Sequence, residues 1–121
     1  MFGMTQADIE TIHHCFDNYP GIDLVVIYGS RAKGNYQHGS DIDLMIDGDM
    51  TFRQLMLLDS ELDDLMLPYE IDLSLKSRIN NQDLIAHIEQ VGKVFYDRTH
   101  RMVLSDPPVE YLTIIKARES L

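Results

Sequence analysis

The sequence predicts one small α/β domain of the α+β type, and three observations carry that reading. A continuous apolar run, Leu24-Val25-Val26-Ile27-Tyr28, is rich in β-branched residues and bounded by turn formers, as a buried strand is. Two later segments, Asp41 to Ile46 and Tyr69 to Leu75, alternate apolar and polar residues with the period of a half-buried strand. Stretches with helical spacing separate them, and at 121 residues the chain can build one core but not two ordinary ones.

Each element has its own signal. Thr5 followed by Asp8 resembles a capping box, and Ile9, Ile12 and Phe16 recur at helical spacing until Pro20-Gly21 ends the run. The apolar strand follows and runs straight into Gly29-Ser30. In the next strand Ile42, Leu44 and Ile46 share one side, so Asp41, Asp43 and Met45 share the other. After the turn Asp47-Gly48-Asp49, the residues Phe52, Leu55, Leu58, Leu62, Leu65 and Met66 trace an amphipathic helix up to Pro68. In the third strand Ile71, Leu73 and Leu75 form the apolar face, which turns Glu70, Asp72 and Ser74 to the opposite one. Asn81 caps a helix carrying Leu84, Ile85, Ile88 and Val91, and Val94-Phe95-Tyr96 adds a short strand beyond Gly92. Asp106 as cap and Pro107 in the first turn open a last helix with Val109, Tyr111, Leu112, Ile114 and Ile115 around much of its circumference, a helix that needs cover on more than one side. The chain reads as a single domain over residues 1–121, with 99–121 a C-terminal helical extension.

Charge narrows the function. Ten basic against twenty acidic residues give a net charge of −10, which repels an extended nucleic-acid backbone instead of releasing its counterions. A nucleotide carried with Mg²⁺ escapes that objection, because the metal neutralises the contact locally. The acidity also suits a basic protein partner. Cys15 is a single cysteine, no signal-peptide pattern opens the chain, and no segment approaches the roughly 18 apolar residues of a membrane span, so a cytoplasmic, membrane-free protein is expected.

The chemistry is concentrated between Gly29 and Asp72. A strand that ends in a Gly-Ser turn opening a short helix exposes backbone N–H groups that bind phosphate oxygens. Gly29 permits close approach, Ser30 adds a hydroxyl donor, and Arg31 or Lys33 adds charge, with the sequence leaving open which of the two turns inward. Ten residues separate Ser30 from Asp41, and Ser40 stands beside that aspartate as a further nucleotide-binding candidate. Residues i and i+2 on a strand are roughly 6.5 to 7 Å apart at Cα, so Asp41 and Asp43 can converge on metals spaced about 3.5 to 4 Å. A third carboxylate, Asp72, raises the repulsion further and makes the cluster itself an argument for a divalent cation. A lone Gly-Ser is usually a turn and a lone Asp-x-Asp usually a solvated strand end; their joint spacing and strand parity carry the inference.

Other residues read more simply. His13 and His14 have no partner at metal-ligand spacing and suit surface or core-edge positions, and so do His87 and His100. Cys15 is a small apolar residue, His38 is loop filler, and Asp59, Glu61, Asp63 and Asp64 form the wet side of a helix.

Gly29-Ser30, Asp41-Ile42-Asp43 and Asp72 within Tyr69-Glu70-Ile71-Asp72-Leu73 closely resemble the pattern of the minimal nucleotidyltransferases, within the DNA polymerase β-like superfamily, over roughly Leu24 to Arg98. The resemblance implies a small mixed sheet with helices packed on one face. It implies transfer of a nucleoside monophosphate from ATP to a hydroxyl, with loss of pyrophosphate. Asp41 and Asp43 would hold two Mg²⁺ ions, Asp72 would bind one and help deprotonate the acceptor, and Gly29 with Ser30 would hold the outer phosphates. Small stand-alone members of this kind resemble antitoxins paired with HEPN-domain ribonuclease toxins, which implies AMP transfer onto a tyrosine of such a partner. Two alternatives accompany that reading: an antitoxin that acts by binding alone, and a homodimer that modifies a small hydroxylated molecule such as an aminoglycoside.

Overall fold

The computed structural model describes residues 1–37, 41–99 and 108–119. Their order is α1 (Gln6–Asp17), β1 (Ile22–Tyr28), α2 (Ser30–Lys33), β2 (Ile42–Gly48), α3 (Phe52–Asp64), β3 (Ile71–Leu75), α4 (Gln82–Val91), β4 (Lys93–Asp97) and α5 (Tyr111–Glu119), with a short 3-10 turn (Lys76–Arg78) after β3. The four strands form one mixed sheet in the order β3-β2-β1-β4. β1 is antiparallel to both β2 and β4, and β2 is parallel to β3, a pairing that needs the crossover supplied by α3.

Two apolar clusters hold this sheet from opposite sides. Ile9, Ile12 and Phe16 of α1 and Leu55, Leu58 and Leu62 of α3 pack on Val25, Ile27, Ile42, Leu44 and Ile46. On the other face Leu24, Val26, Tyr28 and Met45 meet Ile88 of α4 and Tyr111 of α5. The apolar run of β1 is therefore buried on both sides, as its unbroken composition requires. The one-sided helical cover expected of the sheet is the work of α1 and α3, and α4 and α5 add a second layer over part of the opposite face. That second layer corrects the half-buried reading of β2: Met45 shares the face of Asp43 but is only 2% exposed, because Ile88 and Tyr111 complete the cluster around it.

Local chemistry sets the helix ends. Thr5 Oγ1 accepts from the Asp8 N–H at 3.1 Å, as expected. The full reciprocal box stands on α3, where Gln54 N–H donates to Thr51 Oγ1 and Thr51 N–H to Gln54 Oε1. Two further expectations need correction. Met66 is not on the buried stripe of α3: the helix ends at Asp64, and Met66 takes a positive φ and is 86% exposed. Val109 precedes the last helix; its carbonyl accepts from Val94 N–H at 2.8 Å and Glu110 bridges Lys93, so the chain is held to β4 before α5 begins. Asp106 and Pro107 lie outside the described residues. Among the described residues no helix is long and apolar enough to cross a membrane.

Candidate active site

Three adjacent strands bring the polar end of the sheet together. Tyr28 closes β1, Asp43 is the second residue of β2 and Asp72 the second of β3, and the register pairs Asp43 with both. Paired residues on neighbouring strands point to the same side about 5 Å apart, so the two carboxylates and the phenol form one row. Asp41 lies immediately before β2 and is exposed; the next residue, Ile42, is fixed by its N–H to the Glu70 carbonyl at 2.8 Å.

The turn after β1 presses against this row. Gly29 has φ of 74°, a conformation that disfavours side chains, and a β-carbon there would lie 2.5 Å from Asp43 Oδ2. Glycine is thus required twice over, by backbone angle and by contact. Ser30 opens the single-turn helix α2, which is closed by Gly34 N–H donating to the Ser30 carbonyl at 3.0 Å. A helix's first turn has N–H groups without helical acceptors, and here that turn begins beside the carboxylates.

The electrostatics of the row reflect its crowding. Burial pushes the Asp43 carboxyl above the usual carboxylate range, the negative charges of Asp72 and Asp41 push the same way, and His87 opposes them. Tyr28, raised mainly by burial and further by Asp43 and Asp72, is hydrogen-bonded to Ser74, the residue two places along β3 from Asp72. Asp59 of α3 is raised by burial and then by Asp63 and Asp72, so the acids on that helix extend the negative field toward the third aspartate.

The structure separates the predicted set. It brings together Gly29, Ser30, Asp41, Asp43 and Asp72. Arg31 is placed elsewhere: it is 3% exposed, its Nη1 donates to the Phe2 carbonyl at 2.9 Å, and its guanidinium lies 5.1 Å from the Tyr36 ring and 5.3 Å from that of Tyr69. Lys33 is exposed, and Ser40 and His38 lie outside the described residues. His13 takes the core-edge position expected of it, with Nε2 at 2.8 Å from the Phe95 carbonyl and its ring among Phe16, Phe95 and Tyr96. His87 takes the core-edge position expected of it, half-buried on α4, but at the end of the sheet that carries the aspartates. It stands edge-on to Tyr28, with ring centroids 6.5 Å apart, and acts on Asp43.

Among the described residues no three acidic, imidazole or thiol side chains are gathered tightly enough to cage a metal ion unaided. The donor set nevertheless fits Mg²⁺. Asp43 and Asp72 offer carboxylate oxygen only, and Mg²⁺ characteristically takes one or two carboxylates and completes its shell with water and substrate phosphate.

A turn that delivers a strand's end onto a carboxylate of the neighbouring strand is an arrangement suited to phosphate chemistry. Residues 10–101 match the polymerase beta nucleotidyltransferase family, and the chain belongs to that family. Solved structures share the fold. A toxin-antitoxin complex with AMP-PNP is 20% identical with a TM-score of 0.60, over 78% of this chain and 74% of that one. The tri-AMPylated Shewanella oneidensis HEPN toxin in complex with MNT antitoxin gives 19% identity and 0.59, over 79% and 75%. A candidate nucleotidyltransferase from Sulfolobus solfataricus gives 19% and 0.51, over 85% and 98%. No curated protein sequence matches.

Proposed function

We propose that this chain is an adenylyltransferase that moves AMP from ATP to a tyrosine hydroxyl of a HEPN ribonuclease toxin, and so serves as that toxin's antitoxin. The observation that carries the reading is the Gly29 turn set against Asp43, with Asp72 in register beside it. The structural likeness to the toxin-antitoxin complexes described above, one of them AMPylated, supports the choice of acceptor.

In this reading Asp41, Asp43 and Asp72 hold Mg²⁺, which when bound screens the triphosphate and lowers the barrier to attack at its α-phosphorus. Gly29 and Ser30 hold the outer phosphates through backbone N–H and hydroxyl donors. The acceptor oxygen bonds to the α-phosphorus as the bond to the bridging oxygen breaks, pyrophosphate leaves, and Asp72 takes the hydroxyl proton. Asp72 suits that task because it is exposed at the end of the carboxylate row.

The test is label transfer from α-labelled ATP to the co-expressed toxin, followed by mass spectrometry of the labelled peptide. Transfer to a toxin tyrosine that disappears in Asp41→Ala and Asp43→Ala is the expected result. Protection by the aspartate variants without label would favour binding alone, and drug resistance conferred by the chain would favour a small acceptor.

A further inference from the structure

The reaction outlined above gives His87 no task. His87 lies on α4, the helix laid over the same sheet face as Tyr28, Asp43 and Asp72. Packing fixes that helix: Ile88 is fully buried, and Leu84 and Val91 join the same cluster. His87 therefore borders a held apolar stripe and is half-buried, with its ring at 85° to that of Tyr28. Because Tyr28 is the register partner of Asp43, an imidazole in edge contact with that ring lies on the side of the sheet that carries the carboxylate row.

We propose that His87 is a substrate-positioning residue whose imidazole N–H donates to a phosphate oxygen of the nucleotide held at Asp43 and Asp72. The proposal rests on the nucleotidyltransferase reading. Its second support is electrostatic: His87 counters the fields of Asp72 and Asp41 at Asp43. Several cations are engaged elsewhere, Arg31 with the N-terminal segment, Lys76 and Arg118 with Asp47, and Lys93 with Glu110. Lys33, exposed on α2 next to the Gly29 turn, is a separate donor that this role does not replace. A neutral imidazole keeps one N–H donor, so the role requires no change of charge. A donor on α4, an element separate from the Gly29 turn, would add a further hold on one phosphate oxygen and help orient the α-phosphorus.

Calorimetric titration with Mg²⁺ and a non-hydrolysable ATP analogue tests this on the whole chain. His87→Ala should weaken nucleotide binding about tenfold to a hundredfold, the range for one hydrogen bond to a charged group, with the melting temperature unchanged. His87→Gln, which restores an N–H donor, should recover most of that loss, and the KM for ATP should follow the same order. Undiminished binding by His87→Ala, beside weakened binding by Asp43→Asn, overturns the proposal and leaves the nucleotidyltransferase reading intact. A loss that tracks a fall in melting temperature and is not repaired by glutamine also overturns it. Absence of binding by the unsubstituted chain defeats both.

Discussion

Gly29 and Asp43 occupy mutually exclusive space for any larger residue: the glycine α-carbon faces a carboxylate oxygen across a gap that a methyl group would close to 2.5 Å. Gly29→Ala must therefore move the turn or rotate Asp43, besides adopting a disfavoured positive φ. The expected result is a loss of about 1–3 kcal/mol in urea unfolding, from the backbone strain alone, together with loss of nucleotide binding.

Asp43 is held above its ordinary range by burial and by Asp72 and Asp41. A raised folded-state value means that the folded protein binds the proton more tightly than the unfolded chain. The resulting stabilisation is present below 3.8 and is lost as pH rises through the raised value, so the ionised group opposes folding at neutral pH. Asp43→Asn should accordingly raise the melting temperature at pH 7 in chelator. Added Mg²⁺ should then stabilise the unsubstituted chain more than the variant; scanning calorimetry with and without Mg²⁺ reads both effects.

His13 moves the opposite way, its value lowered from 6.5 chiefly by burial and partly restored by the Phe95 carbonyl. Here the unfolded chain binds the proton more tightly, so stability is full above about 6.5 and falls as pH drops through the depressed value. The melting temperature should decline between pH 7 and 5. In His13→Gln, which keeps an N–H donor but cannot titrate, the decline should be shallower.

Arg31 is a structural cation. Its bond to the Phe2 carbonyl and its stacking between Tyr36 and Tyr69 tie the N-terminal segment to α2 and to the approach to β3. Arg31→Ala should lower unfolding free energy by about 2–3 kcal/mol, the scale of a lost hydrogen bond from a charged group. Lys33→Ala, at an exposed position, should stay within about 0.5 kcal/mol in the same denaturant series.

Much of this site could be read from spacing because it is made of short-range geometry: strand parity sets Asp43 and Asp72 to a side, and the Gly-Ser turn gains meaning from its fixed distance to the Asp-x-Asp strand. The capping box of α3 is also local, since Thr51 and Gln54 stand at its required separation, but such a pair is weak beside the hydrophobic spacing that marks the helix from Phe52 onward. His87 and Arg31 were not legible. The position of each depends on which face of a helix meets which strand, a matter of tertiary packing. The one local hint for His87 was its place beside the stripe of Leu84, Ile88 and Val91. Met45 misled for a related reason: strict alternation shows which way a side chain points but not whether distant helices, here α4 and α5, will cover it.

The third aspartate stands on β3, a strand with a neighbour on one side only, whereas Asp43 belongs to an interior strand gripped from both sides. The two carboxylates are thus anchored unequally, one by strands on two flanks and the other by a strand on one. On the proposed reaction the phosphates would meet the carboxylate anchored on two flanks, and the acceptor hydroxyl the one anchored on a single flank.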